Sequence, residues 1–356
     1  MRAAVMRDGA LVVDSVPDPT PDANGVVLRT LACGICGSDL HTLAHPDSMA
    51  EIGGPLAFDS KRDLVLGHEY CGELTERSGD LAAGTPVCAV PLLKQGDRLH
   101  SIGFSNSVNG AYAEYFAVMR DLLLPVPNGL PVAHAALTEP MAVGVHAVAR
   151  ARLTPEDVPL VIGCGPVGLA VIAALKLAGA GPILAADFSP ARRELALRMG
   201  ADEVLDPAVH GPYERFAELA AVTRDGRQVP ENPLTGLPEL RPGVFFECVG
   251  VPGVLDQMMV GATRDCRFVV VGVCMEPDTI RPLLAINKEL NLQFVLGYSV
   301  EEYAATLSHI AEGRMDVAPL VTGRVDLDGV AGAFRDLADP EHHCKILVDP
   351  FGETAP

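Results

Sequence analysis

Two hydrophobic rhythms divide the chain. Up to about residue 130 the apolar positions come in short runs, such as Gly25–Thr30 and Val87–Val90, broken by turns bearing Pro and Gly. That pattern predicts an irregular β-rich domain. From about Pro159 apolar strand-like runs alternate with helix-like stretches, which predicts βαβ units and a parallel sheet. The expected strands are Leu160–Ile162, Ile183–Ala186, Val244–Glu247, Arg267–Val271 and Leu292–Leu296. After Tyr298 the alternation stops. A helix is expected around Glu301–Ala311 and a strand at Lys345–Val348, residues suited to complete the first domain. Thr223–Pro242, with four prolines and no helical period, reads as an inserted surface loop. The expected domains are therefore 1–150 with 298–356, and 151–297.

Composition narrows the function classes. The 356 residues, 49% of them hydrophobic, suffice for two ordinary cores, and a net charge of −19 repels nucleic acid and anionic membranes. A small-molecule function is the expectation. Nine cysteines scattered from Cys33 to Cys344 form no disulfide scaffold, so a reducing, cytoplasmic setting fits. The one membrane-like stretch, Val158–Leu175, is broken by Pro159, Gly163, Gly165, Pro166 and Gly168, and reads as strand, turn and helix.

That stretch carries the first chemical signature. In Gly163-Cys-Gly165-Pro166-Val167-Gly168 the glycines follow an apolar strand and open a helix. One makes the tight turn, one lets a pyrophosphate approach the backbone, and one packs helix on strand. The helix N-terminus offers free N–H groups to phosphate. Asp187, nineteen residues beyond Gly168 at the end of the second strand, is placed to accept bonds from both adenosine ribose hydroxyls. Its charge would repel a 2′-phosphate, so NAD is favoured over NADP. Arg192 and Arg193 weaken that preference slightly, because a nearby Arg can accept the 2′-phosphate; the alternatives for Arg192 are stacking on the adenine or facing solvent.

The second signature lies in the β-rich domain, where Cys33-Gly-Ile-Cys36-Gly-Ser38-Asp39-Leu-His41 is followed by Gly67-His68-Glu69. A thiolate and a neutral imidazole suit zinc, and a catalytic site needs three protein ligands and an open position. Cys36 and His68 are the first two candidates. Cys33 and Cys36 alone would also fit a redox pair, half of a structural zinc site or two buried thiols. With no second CxxC and no thioredoxin-like context, Cys36 as a single ligand is favoured.

These motifs, with Thr138-Glu139-Pro140 and the terminal Lys345-Ile-Leu-Val-Asp-Pro350, resemble the zinc-containing medium-chain dehydrogenase/reductase family, nearest its sorbitol and polyol dehydrogenase side. The resemblance implies a doubly wound Rossmann domain beside a β-rich, GroES-like catalytic domain. It implies Cys36 and His68 as zinc ligands, Glu139 at the remaining ligand position, and Glu69 as a carboxylate that can enter or leave the coordination sphere. Asp39 resembles the carboxylate that orients His68 through its other ring nitrogen. Many members carry a four-cysteine lobe for a structural zinc. Here the corresponding Val87–Tyr115 contains only Cys88, so one catalytic zinc is expected.

The implied reaction removes hydride from an alcohol, a secondary alcohol or polyol being favoured, and gives it to NAD. Zinc lowers the pKa of the hydroxyl, and Ser38 passes the proton through the cofactor ribose to His41 and solvent. The reacting cleft is expected between the domains, at the carboxyl ends of the parallel strands. Two alternatives remain: a zinc-free, quinone-reductase-like NADPH enzyme, and a nucleotide-binding relative without chemistry. Pairing of the Leu292–Leu296 edge with its copy predicts a homodimer, a tetramer being the alternative.

Overall fold

A computed structural model describes residues 1–51, 53–223, 225–231, 233, 236 and 239–352. The chain forms two compact units, Met1–Pro140 with Ser299–Pro356, and Met141–Tyr298.

In the first unit the ten-residue strand Gly25–Gly34 is the axis of a seven-stranded sheet. Its alternating apolar positions, Val26, Leu28 and later Ala32, are buried, as period-two patterning requires. Along its first half it pairs antiparallel with Tyr115–Met119, and along most of its length with Glu69–Leu74. At its far end it meets Lys345–Val348, with Gly34 opposite Leu347 and Cys33 opposite Val348. Beyond that lies Val321–Val325, parallel to Lys345–Val348. The C-terminal segment thus completes the first unit's sheet, as its apolar run suggested.

That register positions the chemistry. Gly34 stands opposite Glu69, so the strand ends bring Cys36, His68, Glu69 and Lys345 to one edge of the unit. The connection Thr42–Leu66 contains the helix Pro46–Ala50 and a single 3-10 turn, Gly54–Leu56. Asn106 ties it down: its amide donates to the carbonyls of Asp59, Arg62 and Asp63 at 3.0–3.3 Å and accepts from the Asp59 N–H at 2.6 Å.

The second unit holds six parallel strands, Val158–Ile162, Leu184–Ala186, Glu203–Leu205, Gly243–Glu247, Arg267–Val270 and Asn291–Phe294. Taken in chain order they lie 3-2-1-4-5-6, the doubly wound order. The five strands expected from the sequence are all present, with ends shifted by a residue or two. Glu203–Leu205 was not foreseen, because three residues carry too little periodicity to register. Helices Pro166–Leu177 and Pro190–Met199 pack together, as do Pro212–Ala220 and Val254–Gly261, and right-handed crossovers place the two pairs on opposite faces. Phe245 stacks on Phe268 at 5.6 Å and meets Phe216 edge-on at 4.8 Å. All three are fully buried, each contributing about 1.5–3 kcal/mol.

Of Thr223–Pro242, the described residues form no helix. The stretch is not wholly at the surface, however. Arg241 is buried, its Nε donating to the Glu156 carbonyl at 3.0 Å, because a long guanidinium can anchor a loop to backbone behind it.

Candidate metal centre and dinucleotide site

Cys36 ends the central strand's excursion and stands as the N-cap of the helix Gly37–Ala44. Its own N–H is capped by Asp39 Oδ2 at 2.9 Å. The acid three residues into a helix reaching back to the cap is a local sequence effect, and it fixes where the Cys36 side chain departs. Glu69 opens the adjoining strand, His68 immediately precedes it, and Gly67 before them has φ +100°, a conformation that favours glycine. The donor atoms of Cys36, His68 and Glu69 all lie within 4.8 Å of one another. Ligands of tetrahedral zinc are separated by about 3.4–3.8 Å, so a small contraction suffices. Glu139, buried in the first turn of the helix Thr138–Ala151, lies outside that group of three.

The imidazole is oriented. His68 Nδ1 faces Asp39 Oδ1 at 3.4 Å, an ion-pair distance, and both atoms are buried without a hydrogen-bond partner. With Nδ1 directed at a carboxylate, Nε2 is the nitrogen left for a metal. Burial by itself would depress the His68 pKa, but the charges of Asp39 and Cys36 outweigh it and raise it. The Phe104 ring packs 5.1 Å from the imidazole. This donor set, one sulfur, one oriented nitrogen and a carboxylate, fits zinc.

Two participants escaped the sequence reading. Lys345, buried, donates to both Glu69 oxygens at 2.7 and 2.8 Å and to the Ile35 carbonyl at 3.0 Å. Tyr112, also buried, donates to Asp39 Oδ2 at 2.6 Å. Lys345 enters the sequence reading only as part of the terminal motif, with no role, and Tyr112 belongs to no motif; 276 residues separate Lys345 from Glu69 and 73 separate Tyr112 from Asp39. Space for the Glu69 carboxylate exists only because residue 34 is glycine, since a Cβ there would stand 2.1 Å from Glu69 Oε2. Cys33 is fully buried, and desolvation, with Asp39 and Glu69 nearby, pushes its thiol well up. A thiol held protonated is a poor ligand, which agrees with reading Cys36 as the ligand of the CxxC.

Ser38 and His41 both lie on the helix Gly37–Ala44, half-buried and three residues apart, a spacing that puts them on one face. Burial, then the charge of His45, lowers the His41 pKa and keeps the ring neutral near pH 7.

The glycine run is built as its spacing demands. Gly163 has φ +92°, Gly165 is the N-cap and Pro166 the first residue of the helix Pro166–Leu177. A Cβ at Gly168 would stand 1.9 Å from the Gly163 carbonyl oxygen, whereas one at Gly165 would meet nothing nearer than the Arg192 guanidinium at 4.0 Å. Gly168 is thus a packing glycine, while Gly165 borders open space beside a helix N-terminus and a cation. Val167 is half-buried in the first turn. Asp187 accepts from the Cys164 N–H at 2.7 Å and the Ser189 N–H at 2.8 Å, one on each oxygen. Each oxygen keeps a second acceptor site. Arg193 is turned away, donating to the Asp187 and Phe188 carbonyls. These residues fit a dinucleotide.

Comparison with known proteins agrees with both halves. Residues 22–128 match the alcohol dehydrogenase GroES-like domain and residues 166–312 the zinc-binding dehydrogenase domain. The chain is 30% identical over 352 residues to the (R,R)-butanediol dehydrogenase of Bacillus subtilis (strain 168), a match spanning 95% of this chain and 96% of that protein. It is 29% identical over 369 residues to the sorbitol dehydrogenase of the same organism, covering 98% and 97% of the two chains. The crystal structure of 2R,3R-butanediol dehydrogenase from Bacillus subtilis aligns with a TM-score of 0.80 at 29% identity, over 98% of this chain and 99% of that one.

Proposed function

We propose, since the chain belongs to the zinc-containing medium-chain dehydrogenase/reductase family, that it oxidises a secondary alcohol or polyol with NAD at a single zinc held by its first unit. Oxidoreduction between alcohol and carbonyl is the family's activity, and the named relatives act on a butanediol and on sorbitol, both bearing secondary hydroxyls. The observation that carries the reading is the convergence of Cys36, His68 and Glu69 with the His68 ring directed at Asp39.

In this reading Cys36 and His68 hold the metal. Glu69 and Glu139 are the carboxylates that compete for the remaining protein position, and Glu69 is favoured by its proximity to the other two. When bound, zinc lowers the pKa of the substrate hydroxyl and NAD accepts the hydride. Ser38 would take up the hydroxyl proton, and His41, kept neutral by burial and His45, would pass it on to solvent. Gly163, Gly165, Pro166, Val167 and Gly168 cradle the pyrophosphate. Asp187 holds the adenosine ribose and disfavours a 2′-phosphate, while Arg192 borders the phosphates beside Gly165. The first unit therefore serves the alcohol and the second, Met141–Tyr298, the nucleotide.

The reading extends to a cytoplasmic homodimer, with a tetramer as the alternative. All nine cysteines are free, which suits a reducing compartment. Among the described residues no helix is long and apolar enough to cross a membrane, and the charge of −19 argues against nucleic-acid partners. The edge strand Asn291–Phe294 leaves Phe294 and Leu296 64% and 79% exposed, an edge suited to a second copy.

The test is metal content together with turnover of secondary alcohols, polyols and aromatic alcohols, with NAD and NADP in parallel. About one zinc per chain, activity lost on chelation and regained with zinc, and faster turnover with NAD are expected. Well under one zinc in active protein, or NADP preference, would overturn the corresponding part.

A further inference from the structure

The geometry points to Tyr112 as a positioning residue of the metal centre, acting through Asp39 to aim His68. The inference rests on the reading of His68 as a zinc ligand, and three observations about Tyr112 carry it.

The first is its hydroxyl. Tyr112 is fully buried and lies 2.6 Å from Asp39 Oδ2, with the Gly34 carbonyl oxygen farther off at 3.3 Å. The shorter contact is charge-assisted, so the proton belongs to the carboxylate. The same Oδ2 accepts the Cys36 N–H at 2.9 Å. One oxygen of Asp39 is thus held by two donors, one of them the backbone of a candidate ligand.

The second is the other oxygen. Asp39 Oδ1 and His68 Nδ1 face each other at 3.4 Å, buried, with no alternative partner for either. Because two donors restrain Oδ2, the carboxylate cannot rotate without breaking hydrogen bonds, and Oδ1 stays turned toward the ring. In the neutral ring that a metal requires, the proton then sits on Nδ1 toward Asp39 and the lone pair on Nε2.

The third is the ring of Tyr112 itself. A Cβ at Gly67, the residue preceding His68, would stand 2.6 Å from Tyr112 Cδ1 and 2.8 Å from the Tyr112 N. Tyr112 therefore touches the backbone that carries His68 as well as the carboxylate that faces it. Without the hydroxyl, Asp39 keeps one donor on Oδ2 and gains rotational freedom, which the imidazole inherits. Phenylalanine fills the same volume, so packing at Gly67 is preserved.

The experiment measures zinc affinity by competition with a chelator in the full-length protein. Tyr112→Phe is expected to weaken zinc about tenfold, the low end of the range for residues that support metal ligands. The absorption bands of the cobalt-loaded protein should shift, and the melting temperature of the chelator-stripped form should stay unchanged. Asp39→Asn should weaken zinc at least as much, and adding Tyr112→Phe to it should cost less than twofold more. Zinc affinity within twofold of wild type in Tyr112→Phe overturns the inference. So does a tenfold loss that persists in the Asp39→Asn background, since Tyr112 would then act through packing. Should Tyr112→Phe fail to fold, undiminished affinity in Asp39→Asn alone overturns it. His68→Ala separates the two levels: if that variant binds zinc like wild type, the metal-centre reading itself falls.

Discussion

Gly165 and Gly168 lie three residues apart in one motif, yet they should fail in opposite ways when given a methyl group. At Gly168 the new Cβ would stand 1.9 Å from the Gly163 carbonyl oxygen and 2.9 Å from its carbon. An ordinary contact needs at least 3.4 Å, so the helix start must move by roughly 1.5 Å from the turn that feeds it. Both atoms are backbone and neither can swing aside. Overpacking of this kind costs about 1–3 kcal/mol, and the rigid obstacle puts Gly168→Ala at or above the upper end. Alanine's better helix propensity returns about 1 kcal/mol. A net destabilisation of about 2 kcal/mol is expected, read as a lower urea midpoint at unchanged slope. At Gly165 the same methyl enters open space, 4.0 Å from the Arg192 guanidinium, with φ at an ordinary −69°. Gly165→Ala should match wild type in urea to within about 0.5 kcal/mol. It should nevertheless bind NADH about 10- to 100-fold more weakly, because the methyl occupies the approach of the pyrophosphate, worth about 1.4–2.8 kcal/mol. Urea unfolding and NADH fluorescence titration on both variants decide the matter. Undiminished NADH binding by Gly165→Ala, or wild-type stability of Gly168→Ala, would refute the division of labour.

Three further outcomes are expected. Lys345→Met leaves the buried Glu69 carboxylate without its partner and should cost about 3–5 kcal/mol in chelator-treated protein; adding Glu69→Leu should recover most of it, as urea unfolding would reveal. Burial raises the pKa of Glu247 above 4.5, against the lowering pull of the Gly250 and Val249 N–H groups. The folded state then binds that proton more tightly than the unfolded one, so this carboxyl subtracts stability as pH climbs from 4.5 through its raised value. The melting temperature of Glu247→Gln should therefore gain on wild type across that window and hold its lead above it; a constant difference would contradict the assignment. Phe294→Lys with Leu296→Lys should bring the sedimenting species to the mass of one chain, and a monomeric wild type would remove the edge-strand contact altogether.

What could be read along the chain was whatever depends on neighbours in sequence. The strand-turn-helix of Val158–Leu177 was legible because apolar run, glycines and helix start follow one another within twenty residues. Asp39 was nominated through the family resemblance as the carboxylate beside His68; that it also caps the Cys36 N–H emerged only from the structure. The change of hydrophobic period placed the expected boundaries at 150/151 and 297/298, whereas the second unit spans Met141–Tyr298. Strand Glu203–Leu205 was not legible, being too short to show alternation.

The sequence by itself determined the classes of chemistry available: a phosphate-binding turn with an acidic residue at NAD spacing, and a thiol, an imidazole and several carboxylates in the β-rich unit. Only the tertiary structure decided which of those carboxylates stands beside Cys36 and His68. Gly34 lies opposite Glu69 and opposite Leu347, and that register draws Glu69 and Lys345 to the same strand end while Glu139 stays outside the group. It also delivered Tyr112 to Asp39. Spacing along a chain constrains contacts within a few residues, but contacts across 73 or 276 residues are set by strand register and packing, which no local pattern encodes. The candidate zinc ligands could be nominated from the sequence; the groups packed around them became visible only in the fold.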